Sequence, residues 1–338
     1  MERRRLGQTD LELPIISFGA SSLGHAFGHV SMEAGLEAVR VALELGITHV
    51  DTSPFYGRGV SESLLGIALR GVPRDRFTIS TKLGRYDEDK FDFRPKRVHE
   101  SVDTSLFRLG VDYLDIVFLH DIEFTDYERS LADAIPALLR EKEKGKVRYI
   151  GIAGYPFKPL LYAMANYDID VTLNYNHYTL QNRRLVSELL PLLNERRVGV
   201  LNAAPFGQRL LSHLELPTWH PADAELREVC RQAVLYCHAN DINPAKLCVQ
   251  FSTHHPGLPT CVIGTGSVHN VREWVRWLEE PYEDEAIREV QEILAPVIDR
   301  NAIYGRPENN DPVNAAESAI ASHWPKNGAA RRAPSIPT

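Results

Sequence analysis

The chain has few cysteines, no excess of positive charge and no long apolar run. Its four cysteines form no Cys-x-x-Cys pair, so their spacing argues against a metal site or a disulfide framework, and we expect buried free thiols. The formal net charge of −7 argues against a nucleic-acid or anionic-membrane partner, since such surfaces need clustered positive charge. We therefore expect no metal, nucleic acid or membrane as a partner.

Long hydrophobic segments are also missing. No run approaches the roughly 18 apolar residues of a transmembrane candidate, and the arginine-rich start lacks the apolar core of a secretory signal. We therefore expect a cytoplasmic protein. The chain does have 43% hydrophobic and 25% charged residues over 338 positions, and this composition is typical of a folded protein with a large core.

Short apolar runs alternate with amphipathic stretches along most of the chain. This alternation is the pattern of βα units around a parallel sheet. The predicted strands cover residues 15–19, 47–51, 77–82, 113–119, 147–152, 171–173, 198–202 and 260–263. Eight such units predict a (β/α)8 TIM barrel of the α/β class, and a barrel of this kind occupies about 250 residues or more as one domain.

The two ends of the chain depart from this pattern. Turn-forming residues at 7–10 lie between two short runs and predict a β-hairpin, which we expect to plug the bottom of the barrel. From Gly305 onward, proline, asparagine, alanine and serine dominate and apolar periodicity disappears. We therefore predict one barrel domain over residues 1–304 and a flexible tail over residues 305–338.

Polar residues stand at the ends of three successive predicted strands. Asp51 ends the second strand, Lys82 ends the third, and His120 follows the fourth, while Tyr56 lies in the loop after Asp51. In a barrel, the functional residues gather at the carboxyl ends of the strands. Neighbouring strands lie about 5 Å apart, so these four side chains can converge on one mouth.

The four residue types suit general acid–base catalysis. A phenol titrates near pH 10, but an adjacent ammonium favours the phenolate, and a carboxylate holds that ammonium in place. A neutral imidazole at His120 can hydrogen-bond a substrate oxygen and orient it. Each residue also has a structural interpretation, such as a loop cap for Asp51, a rim lysine for Lys82 or packing for Tyr56. Only the combination favours catalysis.

Two motifs give a more specific indication. Residues 51–57 (DTSPFYG) and 61–66 (SESLLG) resemble the signature of the aldo-keto reductase family, and Lys82 and His120 fall at the spacing which that family uses. The resemblance covers roughly residues 3–300. It implies a catalytic tetrad of Asp51, Tyr56, Lys82 and His120, with Tyr56 as proton donor or acceptor beside a nicotinamide cofactor.

Further segments resemble a narrower group of that family, the L-galactose dehydrogenases and the bacterial aldose 1-dehydrogenases. These segments are residues 84–86 (GRY), 91–93 (FDF), 119–124 (LHDIEF) and 219–222 (WHPA). The resemblance implies oxidation of C1 of an aldopyranose of the L-galactose or L-fucose type to the lactone. Within the same fold, the alternatives are an NADPH-dependent carbonyl reductase and a nucleotide-sensing regulatory subunit.

A glycine-rich loop follows the last predicted strand. Residues 264–267 (GTGS) precede a helical pattern, so backbone N–H groups there can hold a phosphate, although a simple turn would look the same. NADP-preferring members of the family carry basic residues where this chain has Gly264 and Asn270. We therefore favour NAD over NADP, although Arg272 could compensate.

The resemblance also implies further contacts. The full set of predicted cofactor residues is Gly19, Asp51, Asn174, Pro205, Phe206, Gly207, Gly264, Thr265, Gly266, Ser267, Asn270 and Glu273. Among them, Asn174 or backbone groups would hold the nicotinamide carboxamide, and Tyr175 or Phe206 would cover its ring. The predicted sugar contacts are His25, Phe27, Phe55, Tyr56, Tyr86, His120 and Trp219, because sugars bind against aromatic faces with polar groups fixing orientation. We expect a monomer or a small homo-oligomer.

Overall fold

The structure is a computed structural model, and it describes residues 1–26 and 28–313. Within these residues, two strands form an N-terminal hairpin and eight parallel strands close into a barrel in the order β10-β3-β4-β5-β6-β7-β8-β9. The strands are Arg3–Arg5 (β1), Glu12–Pro14 (β2), Ile16–Gly19 (β3), His49–Asp51 (β4), Thr78–Leu83 (β5), Leu114–His120 (β6), Val147–Gly154 (β7), Val171–Tyr175 (β8), Gly199–Ala203 (β9) and Thr260–Gly264 (β10).

Helices cover the outside of the barrel. In the described part of the chain the α-helices are Met32–Glu44 (α1), Val60–Ala68 (α2), Pro95–Leu109 (α3), Tyr127–Glu143 (α4), Phe157–Asn166 (α5), Leu190–Arg196 (α6), Ala224–Ala239 (α7), Pro244–His254 (α8), Val268–Glu279 (α9) and Asp284–Leu294 (α10). None of these described helices has both the length and the apolarity to cross a bilayer. The four cysteines are free and buried, as expected.

The eight predicted barrel strands are confirmed, and each end lies within two residues of its predicted position. Side chains alternate between the lumen and the helices along each strand. On β6, Ile116 and Phe118 pack inside the barrel, whereas Val117 and Leu119 join the core between strands and helices. The same alternation continues to the carboxyl end of β6, where it turns His120 into the mouth.

The hairpin closes the bottom of the barrel, as predicted. β1 and β2 pair in antiparallel register, with Arg4 opposite Leu13. Leu6 and Leu13 are fully buried, and they belong to the same apolar cluster as Phe118 inside the barrel. Gly7 has φ +54°, and a Cβ there would collide with the backbone of the first residue of β9. The hairpin is therefore seated against the strands and seals that end of the lumen.

Residues 305–313 stay in contact with the barrel. The segment Gly305–Val313, which we call the C-terminal strap, runs across the loops at the mouth. Asn309 Nδ2 donates to the Glu123 carbonyl at 2.8 Å, and the Asp311 carboxylate accepts from the Phe157 N–H at 2.5 Å, so it caps the start of α5. The strap therefore braces two mouth loops.

This placement corrects the predicted domain boundary. We predicted a loose tail from residue 305, because polar residues without periodicity are typical of unstructured segments. The polar side chains of the strap instead satisfy backbone groups of distant loops, which produces no periodic pattern in the sequence. The rest of the predicted tail, residues 314–338, lies outside the described residues.

Candidate active site

A buried ion pair lies at the top of the barrel, where β4 and β5 end. Lys82 Nζ is 2.6 Å from Asp51 Oδ2, and the two side chains are 1% and 4% exposed. Lys82 also donates to the Thr52 carbonyl at 2.8 Å, and Ser80 Oγ donates to Asp51 Oδ1 at 2.6 Å. The hydrogen bonds to both charged groups compensate for their removal from water. The pair is therefore held in one geometry.

Tyr56 lies just after β4 in a tight turn. Gly57 has φ +63°, and Gly24 approaches so closely that a Cβ on it would collide with the Tyr56 carbonyl. The Tyr56 ring stands at 89° to the ring of His120, with 5.9 Å between centroids. Lys82 Nζ lies 4.8 Å from the centre of the Tyr56 ring. The structure thus brings together the four side chains that the sequence predicts.

The electrostatics of the site follow from burial and from the ion pair. Burial alone would lower the pKa of Lys82, but the Asp51 carboxylate outweighs this effect and the pKa is raised. Burial raises the pKa of Tyr56, and the opposing effect of the Lys82 charge is smaller. Our expectation that the ammonium favours the phenolate is correct in direction, yet burial is the larger effect. Tyr56 is therefore a neutral phenol near pH 7 in this structure.

His120 is the third titratable group that faces the mouth. Burial lowers its pKa to about 3, despite the nearby Asp121 carboxylate. The ring is therefore neutral at physiological pH, as the sequence analysis expected. Its Nδ1 lies 3.2 Å from Ser53 Oγ, and its Nε2 lies 3.4 Å from Asp121 Oδ2. A neutral imidazole in this position can exchange a hydrogen bond with a ligand without adding charge.

Arg85 and Asp121 are site residues that the sequence analysis missed. Arg85 Nη1 lies 2.6 Å from Asp121 Oδ2, and its guanidinium carbon lies 4.1 Å from the centre of the Phe55 ring. Asp121 has φ +51°, which turns its carboxylate back beside His120. A non-glycine residue in this conformation is strained, and such strain is concentrated at functional sites. Arg85 lies in the motif 84–86 and Asp121 in the motif 119–124. The resemblance of these motifs to the family was the signal that could have identified both residues.

Glu123 extends this polar region away from the tetrad. Its Oε1 accepts from the Tyr155 N–H at 3.0 Å, and the Tyr175 hydroxyl is 3.4 Å from the same oxygen. Burial, followed by the charge of Asp121, raises the pKa of Glu123 to about 8. The carboxyl is therefore largely protonated at neutral pH. It can donate one hydrogen bond, which an ionised glutamate cannot do.

The predicted phosphate loop lies between β10 and α9. Ser267 caps α9 by accepting from the Asn270 N–H at 3.4 Å, and Asn270 Nδ2 donates to Thr265 Oγ1 at 3.0 Å. At the end of the neighbouring strand, Gly19 is so close that a Cβ on Gly264 would lie 2.8 Å from the Gly19 carbonyl oxygen. The bare backbone and the helix N-terminus fit the phosphates of a dinucleotide. These residues could hold a nicotinamide cofactor.

Asn174 is not placed as predicted. Its Nδ2 donates to the carbonyls of Gly154 and Tyr155 at 3.0 and 2.8 Å, and its Oδ1 lies 3.0 Å from His177 Nδ1. Both amide hydrogens are therefore used within the protein, on the outer side of β8. Tyr175, one residue later, joins the apolar cluster of the lumen. The structure therefore does not support Asn174 as the carboxamide ligand.

The segment after β9 was predicted to carry cofactor contacts at Pro205, Phe206 and Gly207. Phe206 packs against the core between strands and helices, which favours Tyr175 over Phe206 as the aromatic residue facing the mouth. The Gly207 carbonyl lies 2.9 Å from His220 Nε2.

Glu273, another predicted cofactor contact, lies on α9 and pairs with Arg276 on the same helix.

Two of the predicted sugar contacts, Phe55 and Tyr86, lie in different surroundings. Phe55 lies beside the tetrad, with its ring centroid 5.9 Å from that of His120. Tyr86 lies under the Arg97 guanidinium of α3, with the guanidinium carbon 4.1 Å from its ring centre, so it packs against a helix rather than facing the mouth. Gly84 has φ +96°, and the turn there directs Arg85 to the mouth instead.

Two other predicted sugar contacts lie in loops. His25 is exposed after β3 and stacks on His29, with 5.2 Å between ring centroids. Trp219 is 51% exposed, and its ring centroid is 6.2 Å from that of His220. Phe27 lies outside the described residues.

Comparisons with known proteins agree with this architecture. The model of the aldo/keto reductase family matches residues 15–295. The chain is 40% identical over 306 residues to an L-galactose dehydrogenase of Arabidopsis thaliana, across 88% of this chain and 95% of that protein. It is 33% identical over 251 residues to a D-arabinose 1-dehydrogenase of Saccharomyces cerevisiae, across 70% of this chain and 74% of that protein.

A solved structure gives the same result for the fold. An aldo-keto reductase from Bacillus halodurans, in its holo form, superposes with a TM-score of 0.73 at 26% identity, over 91% of this chain and 99% of that one. The predicted barrel and the predicted resemblance are therefore confirmed. Since the family model and the plant relative each span most of the sequence, the chain belongs to the aldo/keto reductase family.

Proposed function

We propose that the protein oxidises C1 of an aldopyranose of the L-galactose or L-fucose type to the lactone, with NAD as the preferred cofactor. The observation that carries this proposal is the cluster of Tyr56 with the buried Lys82, Asp51 and His120, found in a chain that is 40% identical to an L-galactose dehydrogenase. The family uses NAD(P)H, and the loop 264–267 at the start of α9 suits its phosphates.

Each of the four tetrad residues has a separate role in the proposed reaction. Bound nicotinamide supplies the acceptor for the hydride that leaves C1. Tyr56, as the phenolate, takes the proton of the C1 hydroxyl, and the Lys82 ammonium stabilises that phenolate. Asp51 keeps Lys82 charged and in place. His120, which stays neutral, hydrogen-bonds the reacting oxygen and orients it in the mouth.

The sugar-binding side of the mouth is proposed to include Phe55, Arg85 and Asp121. Sugars bind against aromatic faces, and their hydroxyl groups need fixed donors and acceptors. Phe55 supplies the aromatic face. Arg85 and Asp121 supply a donor and an acceptor in an ion pair whose side chains are 14% and 6% exposed.

The substrate proposal is tested by initial rates of nicotinamide reduction. L-galactose, L-fucose and their D-epimers are each supplied with NAD and, separately, with NADP. Strong NAD-linked oxidation of one L-sugar is the expected result. If no sugar is oxidised and simple aldehydes are reduced with NADPH, the protein is a carbonyl reductase and this proposal is wrong. If neither sugar oxidation nor aldehyde reduction is detected while the protein still binds the nucleotide, a nucleotide-sensing subunit is favoured.

The preference for NAD is proposed from the neutral residues of the phosphate loop. Asn270 is exposed on the first turn of α9, at a position where NADP-preferring relatives carry a basic residue. The variant Asn270→Arg should raise the NADP/NAD ratio of kcat/KM by about 10- to 100-fold, because a hydrogen bond between charged groups contributes ~1.5–3 kcal/mol. Initial rates with both cofactors at one sugar concentration measure this ratio.

The control for this variant is Asn194→Arg, which adds the same charge at an exposed position on α6. It should leave the cofactor ratio unchanged. If Asn270→Arg also leaves the ratio unchanged, the assignment of this loop to the adenosine end of the cofactor is wrong.

A further inference from the structure

Ser53 is a fully buried serine in the turn between Asp51 and Tyr56. Its Oγ accepts from the Phe55 N–H at 3.1 Å and lies 3.2 Å from Nδ1 of His120. The roles assigned to the tetrad leave this side chain unused. Its contact with the imidazole nevertheless bears on which ring nitrogen carries the proton.

The hydroxyl hydrogen of Ser53 limits which tautomer His120 can adopt. Because the side chain is fully buried, that hydrogen needs an acceptor within the protein. Among the described residues, Nδ1 of His120 is the acceptor that the structure places within hydrogen-bond distance of Oγ. A neutral imidazole has one donor nitrogen and one acceptor nitrogen. If Nδ1 accepts from Ser53, the ring hydrogen must be on Nε2.

The opposite edge of the His120 ring faces a carboxylate. Nε2 lies 3.4 Å from Asp121 Oδ2, and the same carboxylate oxygen is paired with Arg85 at 2.6 Å. An ionised carboxylate can only accept hydrogen bonds. It therefore favours a hydrogen on the nitrogen that it faces, which is again Nε2. Two independent contacts, one at each nitrogen, indicate the same tautomer. At 3.4 Å the contact with Asp121 is longer than an ordinary hydrogen bond, so a ligand oxygen can replace Asp121 as the acceptor of the Nε2 hydrogen.

We propose that Ser53 is a positioning residue that holds His120 as the Nε2–H tautomer, so that the ring presents a hydrogen-bond donor to the reacting oxygen. This role rests on the proposed function, because it assigns the donor for the oxygen of the sugar C1 group. In the oxidising direction, that oxygen loses its proton to Tyr56 and becomes a carbonyl. A donor on Nε2 stabilises the carbonyl oxygen as it forms, whereas an acceptor nitrogen there would not.

The tautomer itself can be measured without substrate. Long-range ¹H–¹⁵N NMR spectra of the ring nitrogens distinguish the two neutral tautomers, and comparison with a His120→Gln variant assigns the His120 signals. We expect a protonated Nε2 and an unprotonated Nδ1 in the native protein. A protonated Nδ1 would overturn the proposal, whatever substrate the enzyme proves to use. This arm is therefore separate from the test of the proposed function.

The contribution of Ser53 is tested by Ser53→Ala, with Ser53→Thr as the variant that keeps the hydroxyl. In Ser53→Ala we expect a mixture of tautomers and a kcat lower by about 10- to 100-fold, since a wrong tautomer of a catalytic histidine is known to be costly. The KM for NAD should stay unchanged. Ser53→Thr should restore the native NMR pattern and most of the rate.

The matched control is Ser252→Ala, which removes another buried serine hydroxyl, bonded to the Cys248 carbonyl at 2.7 Å on α8. It should leave the His120 signals and kcat unchanged. If Ser53→Ala keeps both the native tautomer and the native kcat, Ser53 has no positioning role. If Ser53→Ala does not fold, the native spectrum and the Ser53→Thr variant still decide the assignment.

Discussion

Replacing Tyr56 with phenylalanine is expected to lower kcat for sugar oxidation by about 10²–10⁴-fold, the range that a positioned general acid or base contributes. The substitution removes only the hydroxyl. The ring keeps its edge-to-face contact with His120 and its tilted contact with Phe55, with centroids 5.9 and 6.1 Å apart. Binding of NAD, measured by quenching of protein fluorescence, should therefore change little.

The matched control is Tyr162→Phe on α5, where the ring makes an edge-to-face contact with Tyr127, with 5.3 Å between centroids. It should retain the native kcat. If Tyr56→Phe retains the native kcat as well, the proton passes to a different group, and the proposed role of Tyr56 is wrong.

Replacing Lys82 with methionine should affect both stability and catalysis. The Asp51 carboxylate, which is 4% exposed on its side chain, would lose its counter-charge inside the barrel. Breaking a buried pair by removing one partner costs ~3–5 kcal/mol. Urea unfolding should show a loss of this size. Sugar oxidation should fall to background, because the pKa of Tyr56 rises further when the positive charge that opposes burial is removed.

A double variant separates the two effects. Asp51→Asn combined with Lys82→Met leaves no buried charge from this pair, so much of the lost stability should return. The activity should not return, because the phenolate still lacks its ammonium. For the native enzyme, oxidation should accelerate as pH rises toward the raised pKa of Tyr56. A Lys82→Met enzyme with native stability and the native pH profile would contradict both parts of this account.

Much of the barrel and its tetrad could be predicted from the sequence because both depend on local patterns. Each apolar run marks a strand, and a polar residue directly after such a run reaches the mouth. Strand alternation could also have excluded Asn174. Val171 and Leu173 point into the lumen, so Asn174, between Leu173 and Tyr175, points outward to the helices. Here the information was present in the sequence, but the resemblance to the family suggested another role.

Arg85 and Asp121 depend on backbone conformations that a single sequence does not specify. The positive φ at Gly84 decides which of two consecutive residues, Arg85 or Tyr86, faces the mouth. The positive φ at Asp121 folds a carboxylate back beside the preceding histidine. Asparagine and aspartate adopt this conformation more readily than other residues, but nothing in the composition marks where they do so. The mouth loops therefore required the structure.

The hairpin and the C-terminal strap lie outside the region that the family model matches, yet both contact the barrel. The family model begins at residue 15 and ends at residue 295. The plug at β1 and β2 precedes that region, and the strap follows it. Arg184, whose side chain is fully buried, donates to the Pro312 carbonyl at 3.0 Å, which ties a third mouth loop to the strap. A domain cut at the two ends of that match would therefore lose the side chains that fill the floor of the lumen and the contacts that hold three mouth loops together.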